Sequence, residues 1–292
     1  MAQKYVFMTD SDSDLPGSIA DAKNIPVVRM PYTLDGVEYF DDSGRSGAEL
    51  QLFRRMREGS APSTSLLPTA AYLEYFEPIL QQSDLLFVAF SSEMSATIQN
   101  VYAAQEELKE KYPERKFMVV DTLTISYPMS LLVLGAHQLY EQGAPMDEVA
   151  QWLMDNRLRA NAWFTVDDLV YLKRGGRVSP TSAFVGSMLD IKPILALSRA
   201  GKIEAAGKVQ GRKKAMRYLA DKTAELIENA ENQEVYVLHA DAEAAANELA
   251  AMIKSKVPQV KSVALRMIGP VIGSHCGPGT LCVAFMGKER AL

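Results

Sequence analysis

The chain has 292 residues, 48% hydrophobic and 23% charged, with 31 Lys and Arg against 36 Asp and Glu for a formal charge of -5. That length favours two domains or one large α/β domain. The composition is ordinary for a globular protein and excludes a disordered chain, a collagen-like chain and a disulfide scaffold. The acidic balance lacks the basic field that nucleic-acid binding needs. Two cysteines, Cys276 and Cys282, point to a reducing compartment. Met1–Leu15 has a short apolar run followed by aspartates, not the basic start and longer apolar core of a signal peptide. The apolar runs Leu85–Phe90 and Leu131–Leu134 fall far short of the about 18 residues of a membrane span. The expectation is a cytoplasmic protein with no transmembrane segment.

In chain order, Tyr5–Met8 reads as a buried strand ending in Thr9-Asp10. Ala71, Tyr75, Ile79 and Leu80 mark a helix, and Leu85–Phe90 a second strand ending in Ser91-Ser92. Ile98, Val101, Tyr102, Gln105 and Leu108 mark another helix before the strand Phe117–Val120, which ends in Asp121-Thr122. Continuous apolar runs suit a parallel sheet covered on both faces. Strand–helix alternation predicts an α/β fold with right-handed crossovers. Ligands in such sheets sit beyond the carboxyl ends of the strands, which makes these polar strand ends the first functional candidates. The middle of the chain differs. Asp168–Arg177 is a polar segment ending in a Gly-Gly turn, and Ala183–Leu197 carries the extended, proline-bearing piece Ile191–Leu195. Met216, Leu219, Thr223, Leu226 and Ile227 give an amphipathic helix. Val235–Leu238 reads as a strand ending at His239, and Leu249, Met252 and Ile253 as a helix. Val263–Met267 and Leu281–Met286 read as strands joined by a Gly-rich loop, Gly269–Gly279. A domain change near 165 divides the chain into 1–165 and 166–292.

No G-x-S-x-G elbow occurs, and Ser95 reads as a helix cap ahead of a nucleophile. His137, His239 and His275 are widely spaced and the cysteines have no second pair, so no metal site is expected. The carboxylates of Asp10-Ser11-Asp12-Ser13-Asp14 alternate as a hard cation would like, but the Gly and distal Glu of a calcium loop are missing. The preferred reading is a strand-end loop in which Asp12 or Asp14 caps the next turn of chain. Gly277-Pro278-Gly279 leads into a strand and not a helix, and there is no Walker loop, so nucleotide motifs fail. Lys173, Arg174 and Arg177, with Arg212, Lys213, Lys214 and Arg217, read equally as solvated helix ends or as a docking patch for an acidic or phosphorylated partner. Thr64-Ser65, Ser91-Ser92, Ser95 and His275 are neutral hydrogen-bonding groups in loops beside apolar segments. Such a set suits an amphiphile with one polar head, since a buried carboxylate must find donors.

Six blocks, in order, resemble one family. They are Thr9-Asp10-Ser11 with Asp14-Leu15-Pro16; Thr64-Ser65; Ser91-Ser92-Glu93-Met94-Ser95-Ala96-Thr97; Asp168 with Tyr171–Ser179; Ile191-Lys192-Pro193-Ile194; and Ile268–Gly279 around His275. The chain resembles the DegV fatty-acid-binding proteins over most of its length. The resemblance implies two α/β domains, the N-terminal one with a mainly parallel sheet, and a long-chain fatty acid in a groove between them. It implies no cofactor and no catalytic residue. For some members it implies the acyl-binding subunit of bacterial fatty acid kinase, whose separate kinase protein converts the bound carboxylate to an acyl phosphate. Carried over, Thr64 and Ser95 would hold the carboxylate, with Ser65, Ser92 and His275 as second contacts or supports. Arg177 would belong to the partner-facing surface near the head group. Ala96 stands where the family has Gly, and Met94 where it has Leu; Ala avoids backbone conformations that Gly adopts. The expectation is a carrier that presents a fatty acid to a kinase and is not itself an enzyme. The rivals are a regulatory or storage lipid binder without a kinase partner, and a phosphotransferase or hydrolase using the same Ser/His cleft.

Overall fold

The computed structural model describes residues 5–178 and 190–292; Ser179 and the start of the Ala183–Leu197 segment lie outside the described residues. The first half contains β1 (Tyr5–Asp10), α1 (Gly17–Ala22), β2 (Val27–Val28), β3 (Pro31–Leu34), β4 (Val37–Phe40), α2 (Ala48–Arg57) and β5 (Ser63–Thr64). It continues with α3 (Thr69–Leu80), β6 (Asp84–Ala89), α4 (Thr97–Lys111), β7 (Phe117–Asp121), α5 (Ser126–Glu141) and α6 (Met146–Asn156). The second half contains β8 (Ala160–Thr165), α7 (Val170–Gly175), β9 (Ile191–Leu197), β10 (Ile203–Gln210) and α8 (Arg212–Leu226). Then come β11 (Glu234–His239), α9 (Glu243–Lys256), β12 (Ser262–Met267), α10 (Pro270–Cys276) and β13 (Leu281–Met286).

The strands β2-β1-β6-β7 form a parallel sheet. Leu85 to Ala89 are all buried, as a strand covered on both faces requires. The order β10-β9-β8-β13-β11-β12 forms a six-stranded sheet in which only the β11–β12 pairing is parallel. One face of it packs under α8 and α9 and forms a separate core with Leu219, Val237, Leu249 and Val283. The other face belongs to the larger core, which runs through α5 to the parallel sheet. A small antiparallel sheet, β4-β3-β5, carries Thr64 and is not among the strands expected from the sequence. The chain changes sheets between β7 and β8, so β8, which ends at Thr165, pairs with β13 and β9.

Two segments read as irregular are helical. Within Gly269–Gly279, Pro270–Cys276 form α10, with Pro at a first-turn position where its missing N–H costs nothing. His275 therefore sits in the last turn of a helix and not in a loop. Val170–Gly175 form α7, which stops at Gly176 in the left-handed conformation, φ 67°. Among the described residues no helix is long and apolar enough to cross a membrane.

Candidate ligand-binding site

The polar ends of β1 and β6, together with β5 and the start of α5, face one side of the six-stranded sheet across a cavity. It encloses about 860 Å³ of space between atoms, its open mouth included. The first half supplies Met30, Phe90, Met94 and Ile125 to its walls. The second half supplies Ala162 and Phe164 from β8, Leu238 from β11, Cys282 from β13 and Ile268, Val271 and Ile272 around α10. The walls are thus mostly apolar, and the cavity lies beyond the carboxyl ends of the parallel strands.

The polar groups of the lining are Asp12, Thr64, Ser65, Ser95, Ser126, Arg177, His275 and Thr280. Thr64 Oγ1 and His275 Nε2 are 2.8 Å apart, a hydrogen bond between residues 211 positions apart. Burial, helped by the Arg177 charge, pulls the His275 pKa down to about 4, so the ring is neutral near pH 7 and its tautomer decides which of the pair donates. Two glycines allow α7 and α10 to approach each other closely here. A Cβ on Gly175 would lie 2.2 Å from His275 Nδ1, and one on Gly277 would lie 2.2 Å from the Tyr171 ring. The Gly-Gly of the α7 motif therefore has two separate causes: Gly175 admits the imidazole and Gly176 turns the helix end.

The acidic loop after β1 is buried. Asp10 Oδ1 accepts the Asp12 N–H at 3.1 Å and caps the single 3-10 turn Ser11–Ser13; Oδ2 accepts the Phe90 N–H at 3.1 Å. Asp14 accepts the Gly269 N–H at 3.0 Å and the Ser126 hydroxyl, tying β1 to α5 and to the start of α10. Burial lifts the Asp14 carboxyl to about 8 and Asp41 to about 7. The expectation that Asp12 or Asp14 provides the cap is corrected: Asp10 does so.

Of the residues singled out from the sequence, Thr64, Ser65, Ser95, His275 and Arg177 meet at the cavity. Ser95 Oγ also accepts the Thr97 N–H at 3.2 Å, but from one residue before the N-cap of α4, which is Ala96 without a side-chain cap. Ser92 is outside the lining, and its N–H donates to Asp121 at 3.3 Å. Its neighbour Ser91 donates to the Gly201 carbonyl at 2.9 Å and joins the two halves. Arg177 donates through Nε to the Met94 carbonyl at 3.2 Å and through Nη1 to the Gly175 carbonyl. In the second basic group Arg212 is held by Asp167 and the Gly279 carbonyl, while Lys213, Lys214 and Arg217 are exposed. Asp12 was not foreseen as a cavity residue.

The geometry suits holding an amphiphile. Thr64 is the hydrogen-bond partner of His275, and no carboxylate orients the other ring nitrogen among the described residues, as a nucleophile–His–acid array would need. Cys276 is buried and its thiol is pushed up to about 12, so it carries no reactive thiolate at neutral pH.

A family model described as "Uncharacterised protein, DegV family" matches residues 4–288. A DegV domain-containing protein of Clostridium perfringens is 38% identical over 289 residues, 99% of each chain. One from Streptococcus pyogenes serotype M1 is 30% identical over 286 residues, 98% of this chain and 99% of the relative. A DegV family protein of Thermus thermophilus, described as fatty-acid binding, superposes with a TM-score of 0.85 at 30% identity over 97% of this chain and 99% of that one. A DegV lipid-binding protein of Thermotoga maritima gives 0.82 at 29% identity over 98% and 99%. A fold shared end to end and a sequence match of nearly full length place the chain in the DegV family, to which it belongs.

Proposed function

We propose that the protein binds a long-chain fatty acid in this cavity, carboxylate toward Thr64, Ser95 and His275, and presents it to a separate kinase for acyl-phosphate formation. One observation carries the reading: the mostly apolar cavity ends at the Thr64 and Ser95 hydroxyls and the His275 imidazole, none of which is hydrogen-bonded to a carboxylate among the described residues. About 15 buried methylenes contribute a gross ~12 kcal/mol at roughly 0.8 kcal/mol each. Ordering and desolvation reduce that sum substantially. The head group then needs donors and not a charge clamp, which leaves the carboxylate nucleophilic. The protein in this reading is a cytoplasmic carrier and not an enzyme. Its two α/β units divide near residue 165, with Ser65 at the mouth, Ser92 as a support and Arg177 on the face offered to the kinase.

The test is to denature the purified protein and identify released lipid by mass spectrometry. Near-stoichiometric fatty acid is expected; none, even after incubation with oleic acid, sinks the reading. Thr64→Val removes a hydroxyl without changing shape and lowers acyl occupancy with folding intact; unchanged occupancy removes Thr64 from the head-group site. For the kinase, ATP and a bacterial extract should form hydroxylamine-trappable acyl phosphate only when the loaded protein is added. Equal formation without it leaves a storage or regulatory binder.

A further inference from the structure

Asp12 is 4% exposed, lines the cavity, and its Oδ1 has no hydrogen-bond partner. The three nearest acids are supplied, whereas Glu49 Oε2, farther back, also lacks a partner. Asp10 accepts two backbone N–H groups, Asp14 accepts Gly269 N–H and the Ser126 hydroxyl, and Asp41 accepts the Ser43 N–H at 2.8 Å. The groups that face Asp12 electrostatically come from several elements. They are Asp10 and Asp14 on its own loop, Asp41 after β4, the Tyr72 hydroxyl on α3 and Arg177 after α7. Neutral His275 on α10 shares the cavity, and Glu49 on α2 lies behind Asp14 and Asp41. Arg177 is the one cation of this set, and it already donates to the carbonyls of Met94 and Gly175.

An ionised carboxylate buried without a donor and beside other carboxylates is expensive, whereas a neutral carboxylic acid carries one O–H that needs an acceptor. In line with that, burial and the charges of Asp10, Asp41 and Asp14 push the Asp12 carboxyl well above the usual carboxylate range, against the pull of Arg177. Asp12 thus lines the cavity with a carboxyl that, once protonated, has no acceptor at Oδ1 among the described residues.

Building on the fatty-acid reading, we propose that Asp12 is a specificity-determining residue of the head-group site: its protonated carboxyl donates a hydrogen bond to the ligand's ionised carboxylate, so the pair shares one proton. The preferred ligand is an amphiphile whose head is an anionic acceptor. A ligand carboxylate facing an ionised Asp12 is repelled. Binding then takes up one proton above the pH at which Asp12 ionises in the free protein, and affinity falls up to tenfold per pH unit there.

The experiment titrates oleic acid into delipidated wild type, Asp12→Asn and Asp12→Leu between pH 5.5 and 9. Ratios to wild type cancel the ligand's own ionisation. The Asn amide donates without titrating, so Asp12→Asn should match wild type at low pH and exceed it increasingly as pH rises. Asp12→Leu should bind about tenfold more weakly at low pH. A wild-type to Asp12→Asn ratio that is constant across the range overturns the proposal while leaving fatty-acid binding in place. Absence of oleate binding to wild type at every pH overturns the fatty-acid reading itself. Should Asp12→Asn fail to fold, Asp12→Ser takes its place, and pH-independent oleate binding by wild type alone also overturns the proposal.

Discussion

The two faces of the six-stranded sheet are made from neighbouring residues of the same strands, yet one is filled and the other is open. Val237 and Val283 lie in the core beneath α8 and α9, against Leu219, Leu249 and Ile253. Leu238 and Cys282, next in sequence, face the cavity. Strand alternation sends successive side chains to opposite faces but does not decide whether a face is closed. The partner decides. Two long helices bring ridges of side chains into contact with one face. The other face meets strand ends and loops of the parallel sheet, whose Met30, Phe90 and Ile125 leave space between the walls.

The largest expected effect lies on the filled face. Phe285→Ala should cost about 3–5 kcal/mol, read from the urea midpoint, because a buried ring leaves a cavity. Phe164→Ala should cost less, because its ring already borders open space; equal costs would mean the two faces are packed alike. Ala162→Phe inserts bulk on the open face, so acyl occupancy should fall at least tenfold with little change in the urea midpoint. A loss of about 1–3 kcal/mol, typical of an overfilled core, would contradict the openness of that face.

Gly175→Ala brings a methyl against His275 and should break its bond to Thr64, lowering oleate affinity about fivefold, or about 1 kcal/mol, by calorimetry. Unchanged affinity would separate the imidazole from head-group binding. The same imidazole is also read by a pH profile. The folded pKa of His275, about 4, lies below the ordinary value of 6.5, so the unfolded chain takes the proton first. Its stabilising contribution is present above about 6.5 and is lost as pH falls toward 4. The stability gap between wild type and His275→Asn in urea should narrow over that window, and a gap that widens would reverse the sign.

The apolar runs Tyr5–Met8, Leu85–Phe90 and Phe117–Val120 were legible as a parallel sheet because burial on both faces leaves no polar position to interrupt them. The helices α3, α4, α8 and α9 were legible from their spacing. The small sheet was not: β4 holds Val37, Tyr39 and Phe40 but is only four residues long and exposed throughout, and β5 has two residues, too few to show a period. Helix α10 was hidden by Gly273, whose Cβ would meet the Phe53 ring at 2.7 Å; the glycine is there for close approach and not for a loop. Five of the six candidate site residues line the cavity, but Asp12 was misread. Spacing does not distinguish an acid that receives backbone N–H groups, such as Asp10, from one that receives none.

The contacts at the polar end of the cavity are among the most distant in the chain. Gly269 N–H reaches Asp14 across 255 positions, and His275 reaches Thr64 across 211. Closing such long loops costs chain entropy before any contact rewards it, so they form late. A nascent chain can assemble the parallel sheet from β1, β6 and β7 while α10 is still unmade. The cavity has no closed form until Ile268–Cys282 is made, roughly ten seconds or more later at ribosomal speed. If the proposed fatty acid binds here, adding oleate during refolding should speed only the final phase.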